Sequence, residues 1–474
     1  MFYLIILHLK KRALLAVVAF VLLHSVPIAQ GQVFNYTRAD GLTSSVITCT
    51  YVDAKGIVWL GTNNGLNAYA SGKWYAITSI EGSKTGKQEP IGRVETIFED
   101  SKGNIWVSVM NKIFLYRNKF WTVFSESEID DYVVKSFYED RRGWVWAALE
   151  RFQDFKHVSE ITFNLLGGTL QMYDGLSWFK FDEDVAGNLA IDPGEAPQYF
   201  TSLFQDDKGN VWVGSLKGVY MFDGKKWITF DEKDLVSEKV RKLMLDKNGT
   251  VWAATDYGIS YRQGDEWIDL TKKEGLCGTG VYDIREDPQG RLWAFTKNNH
   301  RFAGVSMIEH GKCTPFDKHK TKLKGSIEQI VWYKGSVMAM ARDGVSLFDS
   351  AGRWHEFDNR DGLQDTRYYF LMKDMWERIW LAGDRSLYEF HEEKWIQLKE
   401  SAEWKVSVMY ISRNGDVWIG TEKKGVFRYR KGQWLHYTEE NELTENYVTK
   451  IFEDNRSNIW VITRKGVNWI ENAP

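Results

Sequence analysis

The sequence predicts an all-β fold, a β-propeller of about ten four-stranded blades, from three observations. A unit of about forty residues returns from Asp53 to the chain's end. Tryptophan, at 22 residues, is unusually abundant and falls at two fixed places in that unit. The two ends of the chain match complementary parts of one unit.

The unit is clearest in Asp53-Ala54-Lys55-Gly56-Ile57-Val58-Trp59-Leu60-Gly61-Thr62-Asn63-Asn64-Gly65-Leu66-Asn67-Ala68-Tyr69. Aspartate can bond its own backbone two residues on, and glycine accepts a positive φ, so D-x-x-G makes a tight turn between two strands. The apolar residues around it are too dense for a helical period and suit strands with one or both faces buried. Gly65 marks the next turn, a third strand ends at Tyr69, and Gly72 turns the chain into a fourth strand carrying Trp74.

The turn and its tryptophan recur at Asp100 to Trp106, Asp140 to Trp146, Asp206 to Trp212, Asp246 to Trp252 and Asp287 to Trp293, then at Trp380, Trp418 and Trp460. In one further copy Met338 stands where tryptophan should, which makes ten. The second aromatic class is Trp74, Trp121, Trp178, Trp227, Trp267, Trp354, Trp395 and Trp434. A single blade cannot bury its own faces, so neighbours must stack into a continuous core. A tryptophan buries roughly 150 to 250 Å², a gross gain on the order of 4 to 6 kcal/mol. The repeated tryptophans therefore read as inter-sheet packing before they read as sugar-stacking surfaces.

Residues 1–31 read as an export signal. Lys10-Lys11-Arg12 precede the short apolar run Ala13 to Leu23, and Ala29-Gln30-Gly31 offers the small residues that a signal peptidase reads. Its removal would take away three basic residues and no acid, moving the formal net charge from −3 to −6, a poor basis for binding nucleic acid. Three widely spaced cysteines, Cys49, Cys277 and Cys313, imply no disulfide scaffold.

Gly31-Gln32-Val33-Phe34-Asn35-Tyr36-Thr37 matches Gly432-Gln433-Trp434-Leu435-His436-Tyr437-Thr438, the fourth strand of a blade, while the chain ends after the third strand of its last blade. Pairing the two ends would close a ring and remove its sheet edges. No Pro/Ser-rich seam divides the copies, so residues 32–474 read as one ring, with two smaller propellers or fused blades as alternatives. Three insertions depart from the unit: 149–166, 182–197 and 81–90. Long loops on a compact scaffold are often functional.

The phrase from Val52 to Gly65-Leu66, led in by Asp40-Gly41-Leu42-Thr43-Ser44-Ser45-Val46, resembles the two-component regulator propeller repeat. Val211 to Ser215 with Gly218-Val219, and Val417 to Thr421 with Gly425-Val426, are similar to it as well. The resemblance implies an extracytoplasmic sensor or ligand-binding propeller, often for oligosaccharides, whose signal passes to a kinase; another relative works in secretion to the cell surface. No immunoglobulin-like coupling domain, membrane helix or kinase follows Pro474 in this sequence. The expectation is thus a stand-alone periplasmic or secreted module with a separate membrane sensor or envelope protein as partner. A protein-interaction scaffold is the alternative, with a hydrolase or lyase further behind.

Histidines form no H-x-H or H-E-x-x-H pair, no D-x-D-x-D cluster suggests calcium, and neither a G-x-S-x-G elbow nor a phosphate-cradling loop appears. The sequence therefore nominates no catalytic set, metal or cofactor. For binding, the loops entering the innermost strand and those between second and third strands open on one face. The first class supplies Arg93, Tyr132, Tyr199, Arg241, Arg367, Trp404 and Tyr447; the second supplies Asn63, Asn64, Tyr257, His300, Arg301, Arg342, Arg385, Lys423 and Arg464. Guanidinium groups mixed with aromatics suit a small polar or anionic sugar. The ligand candidates are Arg93, Arg241, Tyr257, Arg342, Arg367, Arg385, Arg464 and Trp404, the last because it stands outside both repeat classes.

Overall fold

The computed structural model describes residues 31–81, 86–124, 132–151, 169–181, 200–298, 301–317, 323, 325, 327–349 and 353–471. The export segment, the 182–197 connection and most of the 149–166 insertion lie outside them. Among the described residues are ten four-stranded antiparallel sheets and one two-stranded hairpin, Ser79–Glu81 with Gln88–Pro90. Blades 1 to 9 each use four consecutive strands. Blade 10 joins Val448–Glu453, Ile459–Thr463 and Val467–Ile470 to the N-terminal strand Val33–Tyr36. The closing pair is antiparallel, with Val33 opposite Ile470 and Tyr36 opposite Val467.

Ten apolar clusters show that this is one ring, because each lies between consecutive blades. The last of them packs Leu42, Val58 and Leu60 of the first blade region against Trp460, Ile462 and Val467 of blade 10. Second strands such as Val58–Thr62, Val211–Ser215 and Ile379–Gly383 are buried along their whole length, as expected of strands covered on both faces. The alternative of two smaller propellers falls with this closure.

In each repeated turn one aspartate does two jobs. Asp53 Oδ1 accepts the backbone N–H groups of Lys55 and Ile57, and Oδ2 accepts the indole N–H of Trp59 at 2.9 Å. The same Asp–Trp bond recurs in eight blades, from 2.7 Å at Asp206–Trp212 to 3.2 Å at Asp140–Trp146. Gly56 supplies the φ of 80° that the turn requires; Glu377 and Ser457 take its place in blades 8 and 10, at 63° and 66°.

Two blades solve the turn differently. Blade 7 replaces it with a two-residue turn, Lys334 and Gly335 both at positive φ, and Met338 fills the tryptophan's buried place. In blade 9 Ser412 stands at the aspartate position and the Trp418 indole N–H has no hydrogen-bond partner among the described residues. The acid has moved to Asp416, which holds the fully buried Arg428 at 2.6 Å, and that guanidinium lies 5.0 Å from the Trp418 ring centre.

Between blades, the second tryptophan class stands edge-on against the first. Trp74 meets Trp460 at 5.8 Å and 80°, Trp227 meets Trp146 at 5.9 Å and 84°, and Trp434 meets Trp380 at 6.4 Å and 88°. Each such pair adds about 0.5 to 1.5 kcal/mol beyond buried area. A second link uses the acid or amide just before the turn aspartate. Glu99, Gln205, Glu286 and Glu453 accept a backbone N–H from the preceding blade's turn, at Ala54, Arg141, Lys247 and Arg413.

Deleting Gln32–Thr37 should lower the melting temperature far more than trimming the Ser79–Pro90 hairpin to a short turn, since only the first reopens the ring. Equal losses would contradict closure by this strand. Asp416→Ala should cost about 3 to 5 kcal/mol in denaturant unfolding, because it strands a buried guanidinium. Replacing Asp416 and Arg428 together by Leu and Met should cost less than that single change.

Candidate ligand site at the mouth of the ring

The mouth face is built from the loops entering innermost strands and the turns between second and third strands. On blades 7, 8 and 9 these loops surround a cavity of about 1160 Å³. Arg342 comes from the blade 7 turn, Arg367 and Arg385 from the two blade 8 loops, and Lys405, Lys423 and Lys424 from blade 9. The deeper wall uses innermost-strand residues, among them Gln329, Tyr369, Phe370 and Ser407.

Four carboxylates face these six cations: Glu328, Asp384, Glu403 and Glu422. Arg342 is spent on Glu328 at 2.9 Å, and Lys405 lies 3.5 Å from Glu422. Arg367, Arg385 and Lys423 are exposed and have no ion-pair partner among the described residues. Such a mouth offers two guanidinium forks and an ammonium to an oxyanion, with Tyr369 beside them.

The other candidates go elsewhere. Arg241 is held in a bidentate pair with Asp256, at 2.8 and 2.6 Å, which raises the arginine pKa and lowers that of the acid. For Asp256 burial acts the other way and the Arg241 bonds and charge outweigh it. Arg93 bonds Asn63 at 2.7 Å and Glu95 at 2.8 Å on blade 2, and Arg464 lies 3.4 Å over the Tyr447 ring on blade 10. Tyr257, on blade 5, is 64% exposed and outside the cavity wall. Trp404 is a correction: only 2% exposed, it stacks on Phe427 at 3.6 Å and meets Trp434 edge-on, so it is core. Tyr199 and His300 lie outside the described residues.

A pair of acids at the mouth went unnoticed in the sequence. Asp365, from the loop entering Tyr368–Lys373, and Asp384, from the turn after Ile379–Gly383, are tied together by their loops, with the Thr366 N–H donating to Asp384 Oδ1 at 3.3 Å. The Tyr388 hydroxyl donates to Asp365 Oδ2 at 2.9 Å and the Arg385 N–H to Oδ1 at 3.1 Å. Burial, with Asp384 adding to it, pushes Asp365 up to about 6, although the Tyr388 bond opposes the shift. Burial also works on Asp384, but its neighbour Asp365 and the donors from Thr366 and Arg367 leave that acid below its ordinary value. The visible signal was the repetition of acid and arginine in both mouth loops of one blade, Asp365-Thr366-Arg367 and Asp384-Arg385. Among the described residues no helix is long and apolar enough to cross a membrane, and no three His, Cys, Asp or Glu side chains group as metal ligands.

The family model described as two component regulator propeller matches residues 41–64 and 194–217, so the chain carries repeats of that type. No curated protein matches the chain. Among solved structures, the extracellular domain of the putative one component system BT4673 from B. thetaiotaomicron is similar at 16% identity, over 91% of this chain and 65% of that one, with a TM-score of 0.33. This chain thus spans less than two thirds of that relative's length. The extracellular domain of the putative hybrid two component system BT3049 from the same organism is 14% identical over 93% of this chain and 83% of that one, TM-score 0.33. PorZ, described as a surface component of the type-IX secretion system of Porphyromonas gingivalis, is 13% identical over 91% and 63%, TM-score 0.32.

Asp365 makes a pH prediction. Its pKa near 6 when folded lies above the ordinary unfolded value of about 3.9. Between those values the unfolded chain binds fewer protons, so stability should fall as pH rises through the window and level off above it. Asp365→Asn should remove that fall in a pH series of thermal melts; an unchanged slope would show that the acid ionises freely.

Proposed function

We propose that this chain is an extracytoplasmic, sensor-type binding propeller that takes an oligosaccharide or another small polar ligand at the mouth over blades 7 to 9. The observation that carries the reading is the convergence of Arg367, Arg385 and Lys423, without ion-pair partners among the described residues, on one cavity of about 1160 Å³. A cavity of that size exceeds what a monosaccharide fills and suits a short oligomer. The leader-like residues 1–31 and the regulator-type repeats support a location outside the cytoplasm and a separate signalling partner in the envelope.

Phe120 and Leu176, 76% and 87% exposed at turns of blades 2 and 3, favour a protein-interaction scaffold as the second reading. The two functions use different faces and are separable. Those turns join third and fourth strands, and so lie on the face opposite the mouth.

The test is thermal melting of the purified protein against neutral and acidic oligosaccharides. A ligand at about one hundred times its dissociation constant should add roughly 2.7 kcal/mol. Reversing Arg367 and Arg385 to Glu should abolish the shift, while Arg93→Glu should leave it. If no sugar shifts the melt, or the Arg367 and Arg385 reversal changes nothing, the mouth is not the site.

A further inference from the structure

On the face opposite the mouth, the ring ends in the turns between first and second strands and between third and fourth strands. In blade 8 Asp374 makes the same two backbone bonds as in the other regular turns, accepting from Trp376 and Arg378 at 2.9 and 3.0 Å. The two residues that follow it are nevertheless Met375 and Trp376, 56% and 64% exposed. Other copies hold pairs such as Ser101-Lys102, Asp207-Lys208 and Lys247-Asn248 there, and none holds a large apolar residue. The turn does not need them. Gly415 in the blade 9 turn gives the pair its seat, since a Cβ there would lie 2.9 Å from Trp376 Nε1.

Phe120 and Leu176 project from the same face on blades 2 and 3. The turns that carry them contribute Arg117, Asn118 and Gly175 to a cavity of about 230 Å³, which Lys102 also lines. That is less than the roughly 300 to 1,000 Å³ of a pocket that buries a drug-sized molecule, and leaves room for a headgroup. Asp100 lines it too, with its oxygens committed to the turn and to the Trp106 indole. Lys102, Arg117 and Lys119, and Arg413 on the blade 9 turn, are exposed and have no ion-pair partner among the described residues. Of the acids on the blade 8 turns, Glu377 is paired with Lys373 at 2.8 Å, while Glu392 and Glu393 sit further out, between third and fourth strands.

We propose that this face docks on a lipid bilayer, with Phe120, Leu176, Met375 and Trp376 entering the interfacial layer and Lys102, Arg117 and Arg413 meeting lipid phosphates. Blades 2 and 3 lie across a ten-bladed ring from blade 8, so a flat surface meets both apolar pairs at once. Each pair alone is two side chains wide, against the roughly 20 to 30 residues a side of a stable protein interface. Apolar tips beside cations are the composition of an interfacial membrane contact, in which aromatic rings sit at headgroup level. The chain also joins the ring on this side. Val33–Tyr36 starts here, Val33 opposite Ile470, so residues 1–30, with the apolar run Ala13 to Leu23 behind Lys10-Lys11-Arg12, connect to this face. The mouth then opens away from the membrane.

The experiment is flotation of the purified full chain with vesicles of phosphatidylethanolamine containing a quarter phosphatidylglycerol. Two double variants replace the apolar tips by neutral polar residues: Phe120→Gln with Leu176→Gln, and Met375→Ser with Trp376→Asn. Sibling blades already carry such residues, Gln433 at the Phe120 place in blade 9, Ser101 at the Met375 place in blade 2 and Asn248 at the Trp376 place in blade 5. The melting temperature should therefore stay that of the unchanged chain. The unchanged chain should float, and each double variant should lower the vesicle partition coefficient about three- to ten-fold, since interfacial binding scales with the apolar area buried. The quadruple variant should lose more than either. Tyr257→Ser, which removes an equally exposed aromatic from the mouth face, should float as before.

A full chain that ignores the vesicles would overturn the proposal and return these side chains to the protein-contact reading above. Binding that survives in the quadruple variant would overturn it as well, because residues 1–30 and not the face would then hold the membrane. A loss confined to one pair, or one matched by Tyr257→Ser, would remove the docking plane. The mouth is separable from all of these outcomes, since Arg367→Glu with Arg385→Glu should bind vesicles as the unchanged chain does.

Discussion

The structure depends on one carboxylate in each of eight blades. At the start of each regular turn an aspartate closes the backbone with one oxygen and holds the tryptophan indole of the next strand with the other. Without the second bond a buried indole N–H would pay its desolvation unassisted. With it, the largest side chain of the blade is pinned in one orientation relative to the turn. That orientation presents a flat aromatic surface to the next blade, which meets it with the edge of its own outer-strand tryptophan. Local turn chemistry and inter-blade packing are thus the same constraint seen at two scales.

Blades 7 and 9 show what the constraint permits. Where the aspartate is lost with the tryptophan, as at Met338, an unbranched apolar side chain fills the gap and no polar group is left to satisfy. Where the tryptophan stays but the aspartate has gone, as at Trp418, a buried arginine covers the ring and takes an acid from four residues further on. The two blades on either side of blade 8 are therefore the irregular ones, and the mouth cavity lies over these three. Irregularity in the packed layer coincides with the part of the face where cations gather.

Charge at the mouth follows from what the ring leaves unpaired. On blades 2 and 5 the mouth arginines are consumed by local partners, Glu95 and Asn63 in one case and Asp256 in the other. On blade 8 the acids nearest the arginines accept from backbone N–H groups and the Tyr388 hydroxyl instead. That leaves Arg367 and Arg385 open to the cavity. The cavity draws on three adjacent blades of the ring.

The sequence by itself determined the repeat, the number of blades and the closing strand, because each is written as a local pattern: D-x-x-G for the turn, aromatics at fixed offsets, and an N-terminal segment matching the missing fourth strand. It also determined which face carries the loops. It could not determine which side chains on that face share a space. Arg93 occupies the same place in the repeat as Arg367, and Arg241 and Arg464 lie within two residues of the places of Arg367 and Arg385, so only their neighbours in three dimensions separate a paired arginine from one left open. Trp404 shows the same limit, since a tryptophan outside the repeat pattern still packs on Phe427 of the blade it leads into, within the cluster between blades 8 and 9. Asp365 and Asp384 are nineteen residues apart along the chain, and their loops are neighbours because the strand register sets Tyr368 opposite Gly383. Pairing of charges is a matter of distances across strands and blades, and those are decided by the tertiary structure.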